Sequence, residues 1–201
     1  MARLNGGLAV FVKTPELSPV KTRLAADIGA AAALRVYEMM LAAAAEMMRR
    51  TRDSGVSVYW AVGERDGLVH PRWREFPAVF TGEGDLGARL HQIYSLLRWR
   101  HGRAALAGAD CPGLSAETVI SALALARDDI VVGPAADGGF YLFAAGRRIP
   151  ADVWTSVAYS RGDTLSQLLL RLPKNVARLP VLADVDDADS MRAAGIAPPP
   201  P

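Results

Sequence analysis

The stretch of residues 104–115 limits the possible folds of this chain more than any other part of the sequence. Residues 104–107 form an apolar run that stops at a glycine, and Asp110 follows shortly after. Pro112 then ends strand pairing, and Ser115 opens a helical pattern. A carboxylate just past a buried strand is typical of open α/β sheets, which bind ligands at the carboxyl ends of their strands. The stretch therefore predicts an α/β fold with Asp110 at the ligand-binding edge.

The rest of the chain alternates between strand patterns and helix patterns. Apolar runs predict strands at residues 8–12, 56–62, 78–81, 104–107, 130–132, 140–144 and 177–182. Helical periodicity predicts helices at residues 21–52 with a break near 29, at 85–99, from 115 onward, at 163–172 and at 187–194. In the helix at 85–99 the residues expected to face inward are Leu86, Leu90, Ile93 and Leu97.

The sixth predicted strand interrupts this alternation. Residues 140–144 follow the fifth strand after a gap too short for a crossover helix, so the sixth strand is expected to be antiparallel or displaced. The whole pattern predicts one α/β/α sandwich domain over residues 1–196, with a mixed, mainly parallel sheet. Residues 197–201 are expected to form a proline-rich tail.

Composition restricts the classes of function. The single cysteine, Cys111, cannot form an intrachain disulfide, and with three widely spaced histidines it does not indicate a zinc site. The sequence has neither a signal-peptide pattern nor an uncharged membrane span, so we expect a cytoplasmic protein with no membrane partner. The formal net charge is +2, but the basic residues do not form a stripe along the sequence. We interpret residues 98–103 as a solvated helix end. No nucleic-acid partner is therefore expected.

A basic loop follows the first predicted strand. Lys13, Lys21 and Arg23 lie close together in sequence, at the start of a helix whose free N–H groups already favour anions. The loop matches neither the P-loop nor the glycine pattern of dinucleotide-binding proteins. We interpret it as a phosphate cradle in which Lys21 and Arg23 are catalytic and Lys13 and Thr22 contact the nucleotide. An ordinary solvated loop is the alternative.

Acidic residues follow two strands that the predicted topology could bring to one edge. Ser115 already caps the helix after Asp110, which leaves Asp110 available as a catalytic ligand of Mg²⁺ or Mn²⁺, because these hard cations prefer oxygen. Asp186 is the second predicted metal ligand, with Asp184 in support, because neighbouring carboxylates repel one another without a cation. Asp187 is predicted to cap the last helix.

Two glycine-containing turns complete the candidate site. Asp137, Gly138 and Gly139 form either a simple tight turn or a backbone that a ligand can approach closely, and the two readings are compatible. In the second turn, Asp85 is expected to cap a helix, and Arg89 lies one turn further on, facing either a ligand phosphate or solvent. All five residues are assigned to the nucleotide- or substrate-binding set.

Taken in this order, these motifs resemble the bacterial DUF2064 family, also described as a transferase family associated with radical-SAM and selenoprotein-type operons. The resemblance extends over about residues 8–194. It is carried by Lys-Thr-Pro at 13–15, Val-Lys-Thr-Arg-Leu at 20–24, Gly-Asp-Leu-Gly at 84–87, Gly-Ala-Asp-Cys-Pro-Gly-Leu at 108–114, Gly-Pro-Ala-Ala-Asp-Gly-Gly-Phe-Tyr at 133–141, and Asp-Val-Asp at 184–186.

The resemblance implies a GT-A fold of the nucleotide-diphospho-sugar transferase superfamily, with Mg²⁺ or Mn²⁺ near Asp110 and Asp186. It implies a transferase that takes a nucleotide or nucleotide-sugar donor and a small-molecule acceptor, and the family description favours a glycosyltransferase-like enzyme. A guanylyltransferase-like nucleotidyltransferase and a non-catalytic nucleotide-binding protein both stay open as alternatives. A homodimer is a further expectation.

Overall fold

A seven-stranded sheet forms the centre of the chain in a computed structural model that describes residues 5–173 and 175–197. The strands are β1 Gly7–Val12, β2 Ser57–Val62, β3 Ala78–Phe80, β4 Ala104–Gly108, β5 Ile130–Pro134, β6 Phe140–Ala145 and β7 Val176–Arg178. Their order across the sheet is β3-β2-β1-β4-β6-β5-β7. The prolines at 198–201, which make up most of the predicted tail, lie outside the described residues.

Seven helices connect these strands within the described residues. They are α1 Thr22–Ile28, α2 Ala30–Asp53, α3 Leu86–His101, α4 Ala116–Leu125, α5 Ala151–Thr155, α6 Thr164–Arg171 and α7 Ala188–Ala193. The short helix α5 and two 3₁₀ segments, Asp66–Val69 and Pro71–Trp73, were not expected from the sequence. None of the described helices combines the length and the apolar character needed to cross a membrane.

Strand pairing confirms the mixed, mainly parallel sheet. β1 pairs in parallel with β2 and β4, and β2–β3 and β5–β7 are also parallel. β6 is antiparallel to both β4 and β5, between which it lies. The predicted antiparallel or displaced sixth strand is thus antiparallel, because the short turn after β5 leaves no room for a crossover.

Helix starts follow the capping residues in the sequence. The Asp85 carboxylate accepts a hydrogen bond from the third residue of α3, and the Ser115 hydroxyl does the same in α4. Asp187 and Ser190 form a reciprocal capping box at the start of α7. Gly29 separates α1 from α2 with a φ of 86°, a conformation that only glycine adopts easily.

Helices cover both faces of the sheet. One face packs against α2 and α4 through residues such as Met40 and Leu123, and the other packs against α3, α5 and α6 around Tyr94 and Trp154. Alternate side chains of β1 enter the two layers, so the strand is buried on both faces. The predicted α/β/α sandwich is therefore confirmed.

Two details differ from the sequence prediction. Leu86 was expected to face inward, but it is 42% exposed because it begins α3 at the edge of a pocket. The last strand was predicted at 177–182, but regular pairing ends at Arg178. Pro180 cannot donate to a strand ladder, and beyond it pairing is limited to a single bridge from Leu182 to Ala135.

Candidate functional site

A pocket of about 710 Å³ opens where the parallel strands end. Its lining includes the predicted site residues Lys13, Lys21, Thr22, Arg23, Arg89, Asp110, Asp137, Gly139 and Asp186. Asp85 and Gly138 do not line it: Asp85 caps α3, and Gly138 packs against a neighbouring loop. The sequence prediction that these motifs meet at the carboxyl edge of the sheet therefore agrees with the geometry.

Lys21 lies at the centre of the pocket between two carboxylates. Its Nζ is 2.5 Å from Asp110 Oδ1 and 3.0 Å from Asp186 Oδ1, and its side chain is 5% exposed. Burial by itself would lower the pKa of Lys21, but the two carboxylates outweigh it and raise the pKa above its ordinary value. The ammonium group therefore stays charged inside the pocket.

The backbone of Lys21 is also unusual. It precedes α1 in the left-handed conformation, with φ 48° and ψ 46°, and its side chain does not cap the helix. A left-handed conformation costs a residue other than glycine about 1–2 kcal/mol. In this conformation the side chain lies between the two carboxylates and not in solvent.

Three carboxylates form a cluster beside Lys21. One oxygen from each of Asp137, Asp184 and Asp186 lies within 4.8 Å of the others. Burial raises the pKa of Asp184, which is 9% exposed, and the neighbouring charges of Asp137 and Asp186 add to the effect. An all-oxygen donor set with excess negative charge fits a hard divalent cation.

The acid grouping differs from the pair that was predicted. The sequence prediction joined Asp110 and Asp186 at one metal, whereas in the structure the Lys21 ammonium lies between these two side chains. Asp137 lies in the carboxylate cluster with Asp184 and Asp186, and its role in binding nucleotide or substrate stays a prediction. The role of Asp110 as a metal ligand stays a prediction.

Backbone hydrogen bonds bring the acidic segments together. The amide of Val185 donates to the carbonyl oxygen of Asp110 at 3.0 Å, and Val185 is fully buried. The amide of Ala136 donates to Leu182 O at 2.9 Å, which aligns the turn after β5 with the segment before α7. These two hydrogen bonds hold the backbone segments that contain Asp110, Asp137 and Asp184 next to one another.

The turn at Asp137 is shaped by a protein contact. Gly138 has a φ of 88°, and a Cβ built there would lie 2.5 Å from the carbonyl carbon of Gly162. Its carbonyl oxygen accepts a hydrogen bond from Leu165 N at 2.9 Å. Because Gly138 has no side chain, the loop before α6 can pack against it. Gly139 is the glycine of this turn that lines the pocket.

The cationic side of the pocket rests on a fixed loop. The Tyr37 hydroxyl accepts from Lys13 N at 3.0 Å and donates to Lys13 O at 2.9 Å, and Glu64 accepts from the next amide, Thr14 N. Arg89 donates to Gly84 O at 3.0 Å and also lines the pocket. The sequence left open whether Arg89 faces a ligand or solvent, and in the structure it faces the pocket.

The loop between α5 and α6, together with the first residue of α6, contributes site residues that were not predicted from the sequence. Tyr159, Ser160 and Thr164 line the pocket. Ser160 has a left-handed φ of 59°, and the buried Thr164 hydroxyl donates to Ala158 O and accepts from Arg161 N. The polar Ser-Arg-Gly-Asp run at 160–163 is a turn signal that could have drawn attention to this loop.

Comparison with known proteins places the chain in a family and a fold. A family model described as "Uncharacterized protein conserved in bacteria (DUF2064)" matches residues 30–161. No curated protein matches the chain. A crystal structure from Desulfovibrio desulfuricans G20, described as a "putative nucleotide-diphospho-sugar transferase", is 24% identical with a TM-score of 0.79, covering 90% of this chain and 82% of that one.

Two further solved structures contain ligands. Rv0371c from Mycobacterium tuberculosis H37Rv, in complex with manganese, is 17% identical with a TM-score of 0.51, covering 94% of this chain and 97% of that one. A CMP:2-keto-3-deoxy-manno-octonic acid synthetase complexed with CTP is 15% identical with a TM-score of 0.52, covering 94% and 96%. These likenesses show that the chain shares the fold of sugar and nucleotidyl transferases.

Proposed function

This chain belongs to the DUF2064 family of bacterial proteins, and from that premise we propose that it is a divalent-metal-dependent transferase with a nucleotide-activated donor. The observation that carries the proposal is the position of Asp186. Its carboxylate belongs to the three-acid cluster and is at the same time paired with Lys21 and Arg23. A metal site and a phosphate-binding site would thus share one pocket.

The cations of the pocket suit a phosphate-bearing donor. Lys21, Arg23, Lys13 and Arg89 all line it, together with Asp137. Lys21 and Arg23 would hold the phosphates and neutralise the charge that develops on the leaving group. Asp137, Asp184 and Asp186 would hold Mg²⁺ or Mn²⁺, which supplies Lewis-acid stabilisation of the phosphate oxygens when bound. A protein of similar fold that was crystallised with manganese supports a divalent ion as the partner of this chain.

Two transfer reactions fit this charge arrangement. In glycosyl transfer the acceptor attacks the anomeric carbon of the donor sugar, the bond to the phosphate oxygen breaks, and a nucleoside diphosphate leaves. The likeness to the Desulfovibrio structure supports this reaction as the first candidate. In nucleotidyl transfer an acceptor phosphate attacks the α-phosphorus and pyrophosphate leaves, and the likeness to a synthetase that was crystallised with CTP supports this second candidate.

A thermal-shift panel separates these candidates. Sugar nucleotides and nucleoside triphosphates are each tested with Mn²⁺ and with EDTA. A ligand at a hundred times its Kd stabilises the fold by about 2.7 kcal/mol, which raises Tm by roughly 5–10 °C in a domain of this size. Stabilisation by sugar nucleotides alone supports glycosyl transfer, and stabilisation by triphosphates alone supports nucleotidyl transfer.

Variants of the acid cluster test the metal requirement. Asp184→Asn should abolish the Mn²⁺-dependent part of the Tm shift, because it removes a charge from the cluster. Asp128→Asn, an equal change at an exposed carboxylate that does not line the pocket, should preserve it. A full Mn²⁺-dependent shift in the Asp184 variant would contradict the proposed metal site. Nucleotide binding that is unaffected by Mn²⁺ and by this variant would favour a non-catalytic binding protein.

The cytoplasmic location, the homodimer and the domain boundary at 196 stay predictions. So does the expectation that the protein has neither a nucleic-acid partner nor a membrane partner.

A further inference from the structure

One carboxylate, that of Asp186, belongs to two charge systems at once. Its Oδ1 is 3.0 Å from Lys21 Nζ, and its Oδ2 is 3.5 Å from Arg23 Nη1. The same residue supplies an oxygen to the cluster with Asp137 and Asp184. Among residues 5–173 and 175–197, Asp186 alone is common to the three-acid cluster and to the ion pairs of Lys21 and Arg23.

Lys21 cannot easily move away from Asp186 when a second cation binds at this carboxylate. The ammonium is held inside the pocket by Asp110 at 2.5 Å, and its side chain is almost fully buried. It therefore stays close to the cluster whether or not a divalent ion is present, and its positive charge opposes that ion. Because like charges repel, the ammonium beside Asp186 disfavours a divalent ion at the cluster that shares this carboxylate.

We infer that Lys21 couples divalent-cation binding to phosphate binding by competing for Asp186. This inference rests on the proposed function and identifies the residue that links its two ligands. Without phosphate, Lys21 pairs with Asp186 and lowers the affinity of the cluster for the cation. When a phosphate engages Lys21, Asp186 is released to the cluster. By thermodynamic reciprocity, cation binding strengthens phosphate binding to the same extent.

The expected effect can be worked out from charge alone. A unit charge about 6 Å from a divalent ion changes its affinity roughly tenfold even at the dielectric constant of water. Lys21→Met should therefore bind Mn²⁺ about tenfold more tightly than the unaltered protein in the absence of phosphate. Arg127→Met is the control, because it also removes one positive charge, at an exposed residue that does not line the pocket. Its Mn²⁺ affinity should change less than about threefold, because the Coulomb energy between two charges falls with their separation.

The experiment measures free Mn²⁺ by electron paramagnetic resonance at low ionic strength, with and without pyrophosphate, after subtraction of a protein-free titration. Pyrophosphate should increase the Mn²⁺ affinity of the unaltered protein, and this increase should be about tenfold smaller in Lys21→Met. Circular dichroism confirms that each variant is folded. Lys21→Gln, which keeps a hydrogen-bond donor for Asp110, should change the affinity in the same direction if the methionine variant does not fold.

The outcomes distinguish the inference from the proposed function. If Lys21→Met and Lys21→Gln bind Mn²⁺ no more tightly than the unaltered protein, while Asp184→Asn loses binding, the coupling is overturned. The proposal of a metal-dependent transferase is then unaffected. Absence of Mn²⁺ binding in the unaltered protein and in both Lys21 variants would overturn both.

Discussion

The turn at Gly138 allows a sharp test of how the site is held together. In Gly138→Ala the new methyl group would lie 2.5 Å from Gly162 C and 2.8 Å from Gly162 Cα, both main-chain atoms. The φ of 88° adds the cost of a conformation that alanine rarely adopts, about 1–3 kcal/mol. Relief of the clash requires the loop before α6 to move, which breaks the hydrogen bond from Leu165 N to Gly138 O, a loss of about 1 kcal/mol.

Gly29→Ala is the control for the free-energy cost of the positive φ. Gly29 has nearly the same φ, 86°, but a Cβ there would meet nothing within 4 Å. We expect Gly29→Ala to lower the free energy of unfolding by about 1–3 kcal/mol, and Gly138→Ala to lower it by at least about 2 kcal/mol more. Urea denaturation followed by circular dichroism measures both values. Equal destabilisation of the two variants would refute the proposed packing of the turn against the loop.

Three further predictions concern other contacts. Tyr37→Phe should lower the free energy of unfolding by about 1–3 kcal/mol in urea titrations, because both hydrogen bonds to the Lys13 main chain are lost. Asp187→Ala should cost about 1 kcal/mol in the same assay, through loss of the α7 cap. Burial and the charge of Arg100 lower the pKa of His101 below 6.5. As the pH falls, the unfolded chain therefore binds a proton at His101 before the folded protein does, and the free energy of unfolding decreases below about pH 6.5. His101→Gln should reduce this dependence between pH 7.5 and 5.5, and an unchanged slope would contradict it.

The sequence was most informative where a local signal decides the structure. The caps at Asp85, Ser115 and Asp187 depend on a side chain and the backbone three residues later, so a short pattern was sufficient. The length of one connection limited β6 to an antiparallel or a displaced position, and the structure shows the antiparallel one. These are short-range properties. The parallel direction of most other strands followed from the alternation of strand and helix patterns along the chain.

The interior of the pocket was less predictable, because it depends on contacts between distant segments. That Asp137 rather than Asp110 groups with Asp184 and Asp186 depends on how the turn after β5 lies against the segment before α7. The position of Lys21 depends on a left-handed residue and a long side chain that turns inward. Neither feature has a signature in the sequence pattern.

The reversed direction of β6 places the two ends of this strand in different surroundings. Its first residue, Phe140, lies at the pocket, while its last, Ala145, pairs beside Ala104, the first residue of β4. A six-residue strand spans about 20 Å, so the connection that leaves β6 emerges at the far side of the sheet from the charged groups. Affinity tags placed in that connection should leave the charged groups accessible, whereas changes in the turn that enters β6 alter the lining of the pocket. This division offers a route to immobilise the protein without obstructing its pocket.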